Sequence, residues 1–217
     1  VKPFTWADAA SQTAFPIARP GYPFIAAAAF VTAVFALLGL TVLSLIGLVS
    51  AFCICAFFRD PDRIIPTTPG AVVSPADGKV IFVGKVPENR YLDGQEVTKV
   101  SIFMNVFNVH VNRVPFNCTV LDQFYNKGRF LNASLDKASL ENEQSGMLLE
   151  TETGIKVLCV QIAGLVARRI VSYPENGDQL KRGQRYGLIR FGSRVDLYFP
   201  EGVEVLSRIG DKTVAGE

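Results

Sequence analysis

Histidine is nearly missing from this chain. Of 217 residues only His110 is an imidazole, and the four cysteines, Cys53, Cys55, Cys118 and Cys159, form no close cluster. A zinc site therefore has almost no ligand set to draw on, and no metal is expected. The cysteines also make no disulfide framework: two lie in an apolar run and two stand alone in strand-like segments, which reads as buried free thiols in a reducing compartment. Neither sign of charge is in surplus, with 22 Lys and Arg against 20 Asp and Glu, so there is no electrostatic footprint for nucleic acid. Internal repeats, low-complexity tracts and glycine-rich nucleotide loops are absent too, which leaves phosphoryl transfer and dinucleotide chemistry without a motif.

The longest absence is of charge. No charged residue lies between Arg19 and Arg59, a gap of 39 positions. As one helix that gap is roughly 58 Å long at 1.5 Å per residue, well beyond the ~30 Å hydrocarbon core of a bilayer. Gly39, Thr41, Ser44 and Gly47 interrupt it near the middle. The expectation is two apolar helices, 22–38 and 42–58, forming a membrane-associated hairpin after an N-terminal segment, 1–21. Lys2 and Arg19 before it, and Arg59 and Arg63 after it, suit both ends lying on the cytoplasmic side of the cell membrane. The run is too long for the apolar core of a signal peptide. A single tilted span and a buried soluble hairpin are the alternatives.

From about residue 70 short runs rich in Val, Ile, Phe and Tyr alternate with Gly, Pro, Asn and Asp. Strands are expected at Val80–Val86, Val97–Met104, Cys118–Tyr125, Ile155–Ile162, Val166–Tyr173, Tyr186–Phe191 and Val195–Phe199. Asp77-Gly78 and Asn176-Gly177-Asp178 are turn signals, and 136–145 reads as a short helical or irregular stretch. The fold class is mainly β: a sandwich or distorted barrel over 59–217, preceded by the apolar helical hairpin.

Gly192-Ser193 is the dipeptide with latent chemistry, because a serine hydroxyl beside an unhindered glycyl carbonyl can attack its own backbone. Glycine lacks a Cβ and permits backbone angles that expose that carbonyl. A base must take the hydroxyl proton, and His110 is the sole imidazole. A carboxylate to orient the base is the third requirement, for which Asp77 is the candidate. Asp196 reads as a surface or salt-bridge residue and is left out.

Four phrases in order carry a resemblance: Phe57-Phe58-Arg59-Asp60-Pro61-Asp62-Arg63, Ser74-Pro75-Ala76-Asp77-Gly78-Lys79-Val80, Phe107 to Pro115, and Gly187-Leu188-Ile189-Arg190-Phe191-Gly192-Ser193. Together they resemble the short prokaryotic form of phosphatidylserine decarboxylase over about 55–208. The resemblance implies that Asp77, His110 and Ser193 are the processing triad and that the chain breaks itself between Gly192 and Ser193. Residues 1–192 and 193–217 would then form a heterodimer of fragments, open to further homo-oligomerisation. Ser193 would become a covalent pyruvoyl cofactor, an electron sink much like pyridoxal phosphate, for converting phosphatidylserine to phosphatidylethanolamine. Longer relatives carry a second histidine, spaced His-x-x-His, and a Leu-Gly-Ser-Thr motif. Here Arg113 stands at the second histidine position and the motif reads Phe191-Gly192-Ser193-Arg194. Either His110 serves both processing and decarboxylation, or a water, Tyr198 or Arg113 fills the second role. Arg113, Arg168 and Arg169 are candidates to hold the substrate's phosphodiester and carboxylate, since guanidinium forks match both.

Other readings compete. A related serine phospholipid such as archaetidylserine would suit the same residues. A membrane-tethered β-barrel binding or carrier module would explain the Ser74–Val80 phrase, but no lysine sits in an obvious lipoyl or biotin acceptor turn. A serine hydrolase would use the same three residues, yet the chain has no Gly-x-Ser-x-Gly elbow.

Overall fold

The computed structural model describes residues 17–87, 92, 96–128, 133, 141–164, 169–190 and 192–217. The chain divides into two compact units, Ser11–Asp62 and a larger one from Arg63 to Glu217.

In the smaller unit a single 3-10 turn, Arg19–Gly21, leads into α1 (Tyr22–Leu37), and α2 (Thr41–Phe57) follows after a turn at Gly39, whose φ of 70° is the left-handed conformation that favours glycine. The helices are those expected, to within a residue at each end. They pack against one another where α2 has no side chain: a Cβ on Gly47 would stand 2.5 Å from Thr32 Oγ1. At the open end of the hairpin Ala18 N–H donates to the Phe58 carbonyl (2.8 Å), and Phe24 stacks on Phe58 with ring centroids 5.6 Å apart. Outward-facing apolar residues such as Phe30, Leu37, Val42 and Phe52 are largely exposed. Arg19–Leu37 is long and apolar enough to cross a membrane; Thr41–Phe57 is apolar but shorter. Cys53 lies exposed on α2, so the expectation of buried thiols holds for Cys118 and Cys159 only.

The named elements of the larger unit are all β-strands, with Glu141 helical among its other described residues. β1 (Gly78–Val86), β2 (Val97–Met104), β4 (Cys118–Asn126), β5 (Gln144–Thr151), β6 (Lys156–Ala163), β8 (Gln179–Leu180), β10 (Ser193–Phe199) and β11 (Lys212–Thr213) build one antiparallel sheet. Its order is β11-β1-β2-β10-β6-β5-β4-β8, and it curls into a half-barrel. β3 (Val111–Arg113), β9 (Arg185–Arg190) and β7 (Arg169–Ser172) make a second antiparallel sheet, order β3-β9-β7. Between the sheets lies one apolar core: Val80, Ile102, Met104, Cys159, Ala163, Val195 and Leu197 from the large sheet meet Ile170, Tyr186 and Ile189 from the small one. Each such aliphatic side chain stabilises the fold by about 1.5–3 kcal/mol on burial.

β3, β5, β8 and β11 are not among the expected strands, and β5 departs furthest. Gln144 and Ser145 open β5 instead of closing a helical stretch, and the rest of that stretch up to 140 lies outside the described residues. β5 itself starts on polar residues and holds Gly146, which is covered by the ring of Phe124 directly across from it on β4. The cross-strand aromatic supplies the burial that the glycine lacks.

Candidate active site

The chain passes between the sheets twice in neighbouring places. β6 ends at Ala163 and leaves through Gly164 towards β7; β9 ends at Arg190 and enters the large sheet through Gly192 at Ser193. Ala163 and Ser193 are paired across the ladder. The two crossovers touch, because a Cβ built on Gly164 would run into the carbonyl oxygen and carbon of Gly192. Gly192 takes φ 68°, with open space where its own Cβ would be. The Gly192–Ser193 bond is thus a switch point between sheets, with a left-handed glycine on its carbonyl side.

Ser193 opens the central strand, flanked by β2 and β6, opposite Met104 on one side and Ala163 on the other. Residues in one row across a sheet share a face, so its side chain projects with Met104, Ala163 and Val195 towards the core. Ser193 is fully buried, and its Oγ has no hydrogen-bond partner among the described residues. A buried hydroxyl without a partner is costly, and such a position suits a reactive group better than a structural one.

His110 sits one residue before β3 and is 2% exposed. Its Nδ1 lies 3.0 Å from the Asn108 carbonyl. When Nδ1 donates there, Nε2 carries the lone pair and is the basic nitrogen. His110 immediately precedes β3, and strand alternation carried back by that one residue would set it on the same face as Asn112. Asn112 points at the large sheet: its Nδ2 donates to Met104 Sδ (3.6 Å) and its Oδ1 accepts from Gln161 Nε2 (2.8 Å). The turn that carries this segment is a compact Asn-anchored loop. Asn108 Oδ1 accepts from Asn105 N–H, Asn105 Oδ1 from Phe107 N–H, and Phe107 stands 82% exposed at its tip.

Asp77 precedes β1, beside the end of β2, where Gly78 packs without a Cβ against the Phe103 carbonyl. Its carboxylate accepts 2.8 and 3.1 Å bonds from Arg63 Nη2 and a 2.8 Å bond from the Ala215 N–H. The segments carrying Asp77, His110 and Ser193 therefore converge on the end of β2. Arg63 and Ala215 were not singled out by sequence reasoning. Arg63 closes the Phe57–Arg63 phrase, but nothing local says which carboxylate it meets.

The other residues named from the sequence fall elsewhere. Arg194, Asp196 and Tyr198 alternate with Ser193 and project from the opposite face of β10, over Leu158, Val160 and Ile162. There Arg194 grips Asp196 in two bonds (Nε–Oδ1 2.6 Å, Nη2–Oδ2 2.8 Å), Lys99 Nζ lies 3.2 Å from Asp196, and Tyr198 Oη donates to it at 3.4 Å. Burial alone would push the Asp196 carboxyl up, but the Arg194 guanidinium, with Lys99, outweighs it and holds the group below its ordinary range. Asp196 is a salt-bridge residue as expected, though fully buried and not at the surface. Arg113 is buried too, donating from Nη1 to the Gly183 carbonyl at 2.9 Å. Arg169 is exposed at the start of β7, directly across from Arg190; Arg168 lies outside the described residues. Burial, and then Arg169, lower the pKa of Arg190. Burial pushes the Cys118 and Cys159 thiols up to about 12, which makes both inert rather than nucleophilic.

The profile of the family described as phosphatidylserine decarboxylase matches residues 50–217. A phosphatidylserine decarboxylase proenzyme of Syntrophotalea carbinolica is 58% identical over 93% of this chain and 94% of its own length. The proteins of the same name from Geotalea uraniireducens (93% of this chain, 94% of its own length) and Nitrosomonas eutropha (92% and 91%) are 56% and 52% identical.

Proposed function

Because the chain belongs to the phosphatidylserine decarboxylase family, we propose that it cuts itself between Gly192 and Ser193 and then decarboxylates phosphatidylserine to phosphatidylethanolamine. The observation that carries this reading is the buried Ser193 Oγ, without a partner among the described residues, behind a left-handed Gly192 at the switch between two sheets.

Self-cleavage needs no outside reagent but water. His110 takes the Ser193 hydroxyl proton, Oγ adds to the Gly192 carbonyl carbon, and the C–N bond breaks as His110 passes that proton to the Ser193 nitrogen, leaving an ester and a free amine. Removal of the Ser193 α-proton breaks the Cβ–Oγ bond, and Gly192 departs as a carboxylate. Water then displaces ammonia from the dehydrated residue, leaving a pyruvoyl group at position 193. The chain fits that group: the serine it comes from is enclosed, with His110 the one imidazole available. Asp77 is the carboxylate of this reading; its bonds go to Arg63 and Ala215 while His110 Nδ1 faces the Asn108 carbonyl, so it would act on the site through its charge rather than by a bond to the ring. The pyruvoyl carbonyl supplies an electron sink for the pair left behind when carbon dioxide departs. His110 then returns a proton to the headgroup carbon. Tyr198 is unsuited to that second role, since it projects from the other face of β10.

Arg113, Arg168 and Arg169 are proposed to bind the anionic headgroup. Of the two described, Arg169 is exposed and Arg113 already holds Gly183. The apolar hairpin supports attachment to the cell membrane with both ends cytoplasmic, which would keep the catalytic part, 59–217, at the surface where its substrate lies. The test is His110→Ala: an uncleaved single chain is expected, and prompt normal cleavage would exclude His110 as the processing base.

A further inference from the structure

Two buried amides stand in the apolar core with no part in the chemistry so far. Gln161 on β6 and Asn112 on β3 are 1% and 0% exposed, and Gln161 Nε2 donates to Asn112 Oδ1 at 2.8 Å, from one sheet to the other. The small sheet makes room for this reach at Gly187, which pairs with Asn112: a Cβ there would stand 3.1 Å from Gln161 Nε2. Aliphatic residues of similar size would fill the same space with no polar group to satisfy, so core stability does not call for the pair.

Position does. Gln161 is opposite Val195, two residues along β10 from Ser193, while Asn112 follows His110 by two and also touches Met104, the residue opposite Ser193. Backbone bonds from Arg113 to the Pro75 carbonyl (2.9 Å) and from Val114 to the Gln184 carbonyl (2.7 Å) hold the chain from Arg113 onward, but the segment that carries His110, upstream of them, has only a short ladder. β3 is three residues long, lies at the edge of its sheet and has a register irregularity between Asn112 and Arg113. A slip of one residue would turn His110 from the core face to the outer face. It would also tear Asn112 from Gln161 and leave two amides unsatisfied in the core, which is how a buried polar pair selects one register over another.

We propose that Gln161 and Asn112 are positioning residues for self-cleavage, their amide bond fixing the register of the His110 segment against the strand beside Ser193. The proposal rests on the reading of His110 and Ser193 given above. Its test is the rate of cleavage of the full chain, followed by intact mass during cell-free synthesis. The variants are Asn112→Leu, Gln161→Leu, their double, and the exchange of the two amides (Asn112→Gln with Gln161→Asn). Folding is read separately by melting each in a Ser193→Ala background, where no chain can break. Each leucine variant is expected to slow cleavage by about 10–100-fold, the scale of a misplaced reacting group. Since one bond is lost once, the double should be no slower than the slower single, and the exchange should recover most of the loss. Single variants that cleave at the wild-type rate would overturn the proposal, and so would losses that multiply in the double without recovery on exchange. If the leucine variants do not fold, the exchange decides: fast cleavage supports the strut, and a folded exchange that cleaves slowly refutes it. A wild-type chain that never breaks would instead sink the reading of the site itself.

Discussion

At the scale of single residues, β10 separates two tasks by alternation. Ser193 looks into the core with no hydrogen-bond partner among the described residues, while Arg194 and Asp196 on the other face are locked together and to Lys99. Arg194 occupies the position where longer relatives have threonine, and the side chain is spent on holding the strand. Asp196→Asn leaves a buried guanidinium without its counter-charge, so it should cost about 3–5 kcal/mol in a denaturant or thermal melt. The pH dependence has a definite sign. Asp196 is depressed in the folded state, so its contribution is present above the ordinary aspartate pKa of about 3.9 and fades as pH falls through the lower folded value. The stability gap between wild type and Asp196→Asn should therefore be constant from neutrality down to about pH 4 and shrink below it. A gap that widens in acid would show that Asp196 is not the ionised partner. Arg63 makes a second residue-scale prediction: Arg63→Met removes both bonds that Arg63 Nη2 donates to the Asp77 carboxylate and should slow self-cleavage while the Ser193→Ala form still folds, as intact mass and circular dichroism would report.

At the scale of elements, the bond to be broken is positioned by two crossovers in contact. Gly164 is the sharpest probe, because any side chain there meets the Gly192 carbonyl. Gly164→Ala should cut the cleaved fraction at least about 10-fold, since displacement of the attacked carbon by even an ångström is penalised heavily. Normal cleavage of that variant would mean the contact has no bearing on the reaction. Much of the element layer was legible in the sequence. The charge-free run with Gly39 at its centre gave the hairpin, and β2 appears with the expected bounds, Val97–Met104, because its apolar run and β-branched residues need no distant help. β5 escaped notice because Gly146 is a poor strand residue until Phe124 covers it from β4, and β3, β8 and β11 are too short to carry a period. The site was half legible. Ser193, its glycine and the only histidine announce themselves, whereas Arg63, Gly164, Gln161 and Asn112 acquire meaning only through partners at least 14 positions away.

At the scale of the molecule, the fragment that cleavage would release is not peripheral. Residues 193–217 supply β10, inserted between β2 and β6, and β11, paired to β1 at the sheet's far edge. Both ladders of β10 and its share of the core would have to be given up for the fragment to leave. The cleaved protein should therefore run as one particle in native gel filtration and separate only in denaturant, together with loss of the β signal in circular dichroism. Fragments that part under native conditions would contradict the central placement of β10. The measurement that bears most directly on the whole account is the denaturing intact mass of the purified wild-type chain. Two species are predicted, divided between Gly192 and Ser193, with the 193–217 fragment lighter by one ammonia than a serine-initiated peptide and closed to N-terminal sequencing. A single unbroken chain, persisting in the presence of phosphatidylserine vesicles, would contradict it.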